Sequence, residues 1–220
     1  MKIVLRIGGS ILGSPPDPGV VKKYADIISR ISSKKHRVVV VVGGGAIARQ
    51  YIDAAKNIGL PNAEQDLIAI QASRLNAKLV GMALGIEEVS LSPRGAVSNV
   101  GKQQVAVMGG LRPGITTDTV AALVGEAWGS DLIIKASDQH GIYTADPRKD
   151  RYAELLSAIS HARAVEILGG KHSPGIHSIV DPVAVGLIAK NKLKLIVVNG
   201  AHPENVIKAV NGGRVGTTVG

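Results

Sequence analysis

The sequence predicts an α/β fold, a three-layer αβα sandwich with a mostly parallel central sheet, in a single domain over residues 1–220. Short β-branched runs alternate with longer stretches whose apolar residues recur every three or four positions. The short runs are continuously apolar, which is typical of strands buried on both faces. With 45% hydrophobic residues and no cysteine, the chain is too apolar to be disordered and has neither disulfides nor thiolate metal sites.

The predicted elements follow this alternation. Strands are expected at residues 2–7, 37–42, 104–108, 131–135 and 194–198. Helices are expected at residues 20–32, 46–58, 66–84, 117–128 and 182–191, where strong helix formers accompany the helical spacing.

Charge and hydropathy exclude several classes of protein. The chain has 26 basic and 17 acidic side chains, but its basic residues lie in small groups, and only 2% of residues are aromatic and able to stack on bases. We therefore expect no nucleic-acid partner, and interpret the charge as a solvated basic surface or as cations that face small anionic ligands. The longest apolar run, residues 38–42, is far too short to cross a membrane, so we expect a cytoplasmic protein.

Glycines follow three of the predicted strands, at residues 8–9, 43–45 and 109–110. Ligands of open α/β sheets bind at the carboxyl ends of the strands, where glycine lets the backbone approach them closely. The three turns together indicate an anion-binding site, although each alone also suits an ordinary tight turn. The phosphate-binding loop G-x-x-x-x-G-K-[ST] is absent, and the G-x-G-x-x-A match that starts at Gly43 is weak.

Arg6 and Lys135 lie in or at the end of apolar strands, where an unpaired charge is costly. Each needs an anion, and two alternatives stay open: a bound phosphate, or a nearby carboxylate such as Asp138 or Asp181. No Gly-x-Ser-x-Gly motif is present, so nucleophilic hydrolysis is disfavoured. The spacing of His161, His172, His177 and His202 does not suit a metal site, and we expect none.

Two polar segments also have alternative interpretations. Residues 111–118 lead into a helix, and their hydroxyls could cap that helix or hold an oxyanion. Residues 135–147 contain Tyr143 and Asp146, which could form a wall for a nucleotide base or a simple turn with an exposed tyrosine.

The ordered set of motifs resembles the amino-acid-kinase superfamily and, within it, the archaeal uridylate kinases. The resemblance covers essentially the whole chain. It is carried by Ile7-Gly8-Gly9-Ser10, Val42-Gly43-Gly44-Gly45-Ala46 with Arg49-Gln50-Tyr51-Ile52, Ser73-Arg74-Leu75-Asn76-Ala77, Met108-Gly109-Gly110-Leu111-Arg112-Pro113-Gly114 with Thr116-Thr117-Asp118, and Gly141-Ile142-Tyr143 with Asp146-Pro147. Compared with that superfamily, residues 92–101 are short and Gly-rich, so we expect a surface helix to be missing there.

The resemblance implies a UMP kinase that transfers the γ-phosphoryl group of ATP to UMP, with Mg²⁺ as the cofactor, in a homohexamer. The expected catalytic residues are Arg6, Lys135 and Asp138. The expected ATP-binding residues are Gly9, Ser10, Gly45, Arg49, Ser137, Asp138, Tyr143 and Asp146. The expected UMP-binding residues are Gly44, Asp66, Gly114, Ile115, Thr116, Thr117, Asp118, Thr119 and Val120. Two alternatives remain: a kinase of another small acid, such as isopentenyl phosphate or acetylglutamate, and a non-catalytic nucleotide-binding regulator.

Overall fold

The computed structural model describes residues 1–147, 149–170 and 179–220. The strands in these ranges are β1 (Lys2–Ile7), β2 (Arg37–Val42), β3 (Val105–Met108), β4 (Leu132–Ser137), β5 (Ala158–Ile159), β6 (Leu195–Asn199) and β7 (Thr217–Val219). The helices are α1 (Pro18–Ser33), α2 (Gly45–Asn57), α3 (Asn62–Ala83), α4 (Pro93–Gln103), α5 (Thr117–Trp128), α6 (His161–Leu168), α7 (Pro182–Lys190) and α8 (Glu204–Val210).

These strands form one sheet in the order β3-β2-β1-β4-β6-β7-β5. Neighbouring strands are parallel except for β6 and β7, which are antiparallel. The chain leaves β1 for β2 on one side and later returns to place β4 on the other side. A topological switch point therefore lies at the carboxyl end of β1, where open α/β sheets bind their ligands.

The side chains of β1 divide between two aliphatic cores. Ile3, Leu5 and Ile7 pack with α1, α3 and α8 on one face of the sheet. Val4 packs with α4, α5, α6 and α7 on the other face. Since successive residues of a strand point to opposite faces, an apolar run such as β1 serves both cores. The predicted three-layer α/β arrangement with a mostly parallel sheet is confirmed.

All five predicted strands are present, and three have shifted bounds. The strand predicted from residue 104 begins at Val105, because Gln104 takes a φ of 65° and caps α4. Strands β5 and β7, of two and three residues, were not predicted because such short segments carry no periodicity.

The expectation that residues 92–101 lack a helix is wrong. Helix α4 covers this segment; the Ser92 hydroxyl accepts from the amide of Gly95, and Pro93 occupies the first turn. Ala96 and Val100 are buried in the core, which compensates for the low helix propensity of the glycines. Helix α3 begins four residues before its predicted start, so Asp66 lies inside that helix rather than at its first position.

Candidate active site

The loops that follow β1 and β2 meet backbone to backbone at the carboxyl edge of the sheet. A Cβ atom on Gly9 would lie 2.1 Å from the amide nitrogen of Gly45, and one on Gly45 would lie 2.5 Å from the carbonyl carbon of Gly9. Gly45 also has a φ of 64°, so both positions require glycine. Helix α2 begins here with Gly44 as its N-cap, which has no side chain to bond the first amides. Such amides bind anions readily.

Arg6 and Lys135 are in register on the adjacent strands β1 and β4, and both contact the carboxylate of Asp118. Arg6 Nε lies 2.8 Å from Asp118 Oδ1, although the two atoms are not aligned for a hydrogen bond. Arg6 Nη2 donates to Thr117 Oγ1 at 3.0 Å, and Lys135 Nζ donates to Asp118 Oδ2 and to the carbonyl of Ile179. The cations do have a carboxylate partner, but it is Asp118, which the sequence predicts to bind UMP.

This charge cluster, Arg6–Asp118–Lys135, has strongly perturbed electrostatics. Burial by itself raises the pKa of Asp118, but the charges of Arg6 and Lys135 outweigh it and hold that pKa below its usual range. Burial lowers the pKa of Lys135 to about 8, against the opposing effect of Asp118. Asp118 is the carboxylate in contact with both cations, and the Asp181 carboxylate also favours the charged form of Lys135. The cluster therefore keeps two cations at the end of the sheet, where they can attract a further anion.

A cavity of about 360 Å³, the first cavity, opens next to the charge cluster, since its lining residue Thr117 accepts a hydrogen bond from Arg6. It is lined by Gly44, Ala48, Asp66, Ala69, Ile70, Ser73, Gly110, Arg112, Gly114, Ile115, Thr116 and Thr117. Six of the nine residues predicted to bind UMP are in this lining. Asp66 Oδ2 accepts from the amide of Gly114 at 2.7 Å, which ties α3 to the loop before α5.

The other three predicted UMP residues lie outside this lining. Asp118 belongs to the charge cluster, Thr119 donates its hydroxyl proton to Asp181, and Val120 is fully buried in the core. These residues follow each other on the first turn of α5, so only its first residue, Thr117, reaches the cavity. The assignment of these three residues to UMP binding stays a prediction.

Two buried polar residues of α3, Ser73 and Asn76, hold the glycine turns in place. Ser73 Oγ accepts from the amide of Gly110 at 2.7 Å. Asn76 Nδ2 donates to the carbonyls of Gly43 and Gly44 at 2.9 and 3.2 Å. Both residues belong to the Ser73–Ala77 motif of the resemblance, but no role was predicted for them, because their partners are far away along the chain.

A second cavity, of about 280 Å³, lies beyond β4. It is lined by Gln139, Ile142, Tyr143, Thr144, Ala145, Asp146, Pro147, Ile167, Leu168 and Ile179. Tyr143 and Asp146, predicted to bind ATP, are in this lining. Ile179 lines the second cavity and also accepts a hydrogen bond from Lys135, so the charge cluster lies between the two cavities.

The remaining predicted ATP residues lie on the segments that follow β1 and β2 and at the end of β4. Gly9 and Gly45 form the close backbone contact, while the side chains of Ser10 and Arg49 are exposed to solvent. Ser137 ends β4, and its hydroxyl donates to Asp138 Oδ1 at 3.2 Å.

Among residues 1–147, 149–170 and 179–220, no three His, Asp or Glu side chains are grouped so that they could hold a metal ion. His172, His177 and Arg148 lie outside these ranges. A Mg²⁺ ion bound to a nucleotide does not need such a group, because it keeps several waters and takes oxygens from the phosphates. In the same ranges, no helix has the length and apolar character needed to cross a membrane.

Comparison with known proteins gives a consistent picture. Residues 1–199 match the sequence model of the Amino acid kinase family. The chain is 38% identical over 220 residues to a uridylate kinase of Hyperthermus butylicus, a match that covers 99% of this chain and 97% of that protein. It is also 38% identical over 223 residues to a uridylate kinase of Natronomonas pharaonis, with 100% and 98% covered. The crystal structure of uridylate kinase from Archaeoglobus fulgidus superimposes with a TM-score of 0.92 at 36% identity, over 100% of both chains.

Proposed function

The chain belongs to the amino acid kinase family, and from this premise we propose that it is a UMP kinase, which transfers the γ-phosphoryl group of ATP to UMP and yields UDP and ADP. One observation of the geometry supports this function above the others. A positively charged cluster at the end of the sheet separates two cavities, one of which is lined by most of the residues predicted to bind UMP. Two separate sites on either side of a phosphate-binding centre suit a transfer between two nucleotides.

Phosphoryl transfer asks a protein for positioning and for stabilisation of negative charge, not for a covalent nucleophile. In our proposal, UMP occupies the first cavity with its ribose at Asp66 and its phosphate towards Gly44. ATP occupies the second cavity, with its base near Tyr143 and its phosphates directed to Gly9, Gly45 and Arg49.

In this arrangement, Arg6 and Lys135 lie next to the transferred phosphoryl group. Their charges, together with the uncapped amides at the start of α2, would stabilise the oxygens of the transferred phosphoryl group. Asp118 keeps the two cations side by side, because without a shared carboxylate they would repel each other.

Mg²⁺ enters this proposal with ATP. Ser137 and Asp138 offer oxygen atoms at the carboxyl end of β4 and would hold the ion together with the nucleotide phosphates. When bound, Mg²⁺ supplies positive charge that neutralises the phosphates. The catalytic role expected for Asp138 would thus be to hold the Mg²⁺ ion that is bound to ATP.

The test is ADP release from MgATP with UMP as acceptor, with CMP, dUMP, isopentenyl phosphate and acetylglutamate in parallel reactions. We expect selective turnover of UMP. Turnover of another acceptor would overturn the assignment of the first cavity, and saturable binding of ATP and UMP without turnover would favour a regulator.

We also include homohexamer assembly and a cytoplasmic location in the proposal. Assembly is supported by large apolar side chains that are exposed on α2, its C-cap and α3, namely Tyr51, Ile58, Leu67, Leu75, Leu79 and Met82. Such a surface favours contact between copies of the chain.

A further inference from the structure

Residues 179–181, which lead into α7, contact both sides of the proposed transfer centre. Ile179 lines the second cavity, and its carbonyl accepts a hydrogen bond from Lys135. Asp181 accepts hydrogen bonds from Thr116, which lines the first cavity, and from Thr119 in the first turn of α5. This short segment therefore joins the two cavities through the charge cluster.

The side chain of Asp181 makes more hydrogen bonds than a helix cap requires. Its Oδ1 accepts from the amides of Val183 and Ala184 at 2.9 and 3.0 Å, which caps α7. In addition, Oδ2 accepts from Thr116 Oγ1 at 2.6 Å, and Oδ1 accepts from Thr119 Oγ1 at 2.9 Å. Capping needs only the amide contacts, so the threonine contacts call for another explanation.

Thr116 is the partner that connects Asp181 to the first cavity. Its hydroxyl caps α5 by accepting from the amides of Asp118 and Thr119, each at 3.2 Å. A hydroxyl has one proton and two lone pairs, so a proton donated to Asp181 leaves both lone pairs for α5. Asp181 also accepts from the hydroxyl of Thr119, one turn further along α5. Asp181 thus orients the first turn of α5 from two directions.

We propose that Asp181 is a positioning residue, which couples the acceptor loop around Thr116 to the charge cluster. It sets the direction of the Thr116 hydroxyl and so fixes the turn that carries Thr117 and Asp118. Thr117 lines the first cavity and bonds Arg6, so the acceptor site and the cations keep one relative position. The inference rests on the proposed function, since it takes the first cavity as the acceptor site.

The test is the substitution Asp181→Asn. An asparagine oxygen still caps α7 well, so the fold is retained. Its amide nitrogen, however, is a donor, and it would face Thr116 Oγ1. Both lone pairs of that oxygen already accept from the amides of Asp118 and Thr119. We expect the KM for UMP to rise about tenfold and kcat to fall, while the KM for ATP stays within about twofold, because a charge-assisted hydrogen bond is lost on the acceptor side only.

Asp17→Asn is the matched control. Asp17 also caps a helix, since its carboxylate accepts from the amides of Gly19 and Val20, but it lines neither cavity. It should leave both KM values unchanged. A second pair tests the partner: Thr116→Val removes the hydroxyl that donates to Asp181 and should raise the KM for UMP, and Thr116→Ser, which retains that hydroxyl, should raise it less. Adding Asp181→Asn to Thr116→Val should then have little further effect on that KM, because both substitutions remove the same hydrogen bond between residues 116 and 181.

Amide hydrogen exchange of residues 110–119, measured without substrates, gives a readout that does not depend on activity. We expect faster exchange in Asp181→Asn than in Asp17→Asn. If exchange and the kinetic constants of Asp181→Asn match those of the control, the inference is overturned. If the parent protein uses an acceptor other than UMP, the proposed function fails, and faster exchange together with a raised KM for that acceptor would still support the positioning role.

Discussion

At the scale of single residues, the charge cluster is costly for folding and useful for phosphoryl transfer. Three ionised groups lie largely out of water, and such groups stabilise a fold less than well-packed apolar residues do. Lys135 is only 6% exposed and keeps its proton through its contact with Asp118. The same arrangement holds two cations next to each other without solvent, where their attraction for a phosphate is strongest. We therefore attribute the cluster to function rather than stability.

The pKa of Lys135, lowered to about 8 by burial, gives a pH prediction. In the free enzyme the ammonium loses its proton as the pH rises through about 8, so kcat/KM for UMP should fall there. Bound phosphates favour the charged form, so the fall in kcat should come at higher pH. Lys135→Arg should remove the fall, because arginine stays protonated. A flat profile in the parent between about pH 7 and 9, or the same fall in Lys135→Arg, would contradict the assignment.

The same shift affects stability with the opposite sign. The unfolded chain keeps the Lys135 proton up to its ordinary pKa of 10.5, whereas the folded chain releases it near 8. The contribution of Lys135 to the free energy of unfolding should therefore rise between about pH 8 and 10.5. Denaturation midpoints of the parent and Lys135→Met across this window measure the difference.

Asp66 provides a test of the acceptor cavity. Asp66→Asn keeps an oxygen that can accept from the Gly114 amide, so the loop contact survives, but it loses the charge that we propose for ribose binding. We expect the KM for UMP to rise about tenfold and the KM for ATP to change little. Glu64→Gln, an exposed neighbour on α3, is the control for loss of a negative charge. Equal increases for UMP and ATP would show that Asp66 has no acceptor-specific role.

At the scale of elements, two helical glycines should respond in opposite directions to alanine. Gly186 lies on the exposed side of α7, and an added Cβ would meet nothing within 4 Å, so Gly186→Ala should stabilise the fold by about 1 kcal/mol. Gly81 is buried in α3, where a Cβ would lie 2.9 Å from the carbonyl oxygen of Ile86. Gly81→Ala should therefore destabilise it by about 1–3 kcal/mol through overpacking. Urea denaturation of both variants measures this difference, and a shift of the same sign in both would contradict the geometry.

The elements also show what sequence patterns can predict. Strands β1 and β2 are predicted to the residue, since six consecutive residues with an aliphatic majority leave little alternative. Helix α4 is missed because its glycines lower the local helix propensity, while the burial of Ala96 and Val100 against α5 is a tertiary effect. The same limit applies to the site. Glycine turns mark its location, but the pairing of Arg6 with Asp118 joins residues 112 positions apart, which no local pattern predicts.

At the scale of the whole molecule, one helix connects the acceptor cavity to the exposed apolar surface. Ile70 and Ser73 of α3 line the first cavity. The opposite side of α3 exposes Leu75 and Met82, whose side chains are 64% and 54% accessible. Their positions in the helix fall within one arc, on the side turned away from the cavity. Contact between copies along this arc would therefore hold α3, and with it the wall of the cavity, in a fixed position.

This arrangement leads to a prediction about assembly. In the double variant Leu75→Lys, Met82→Lys, two charges would have to be buried between copies, so we expect smaller species than the parent in sedimentation equilibrium. The KM for UMP should rise with dissociation, because α3 loses support next to Ser73. Leu91→Lys is the control: Leu91 is equally exposed, at 61%, but lies outside α2 and α3. A parent that sediments as a monomer, or a double variant that assembles as the parent does, would show that the apolar surface of α3 is not the contact between copies.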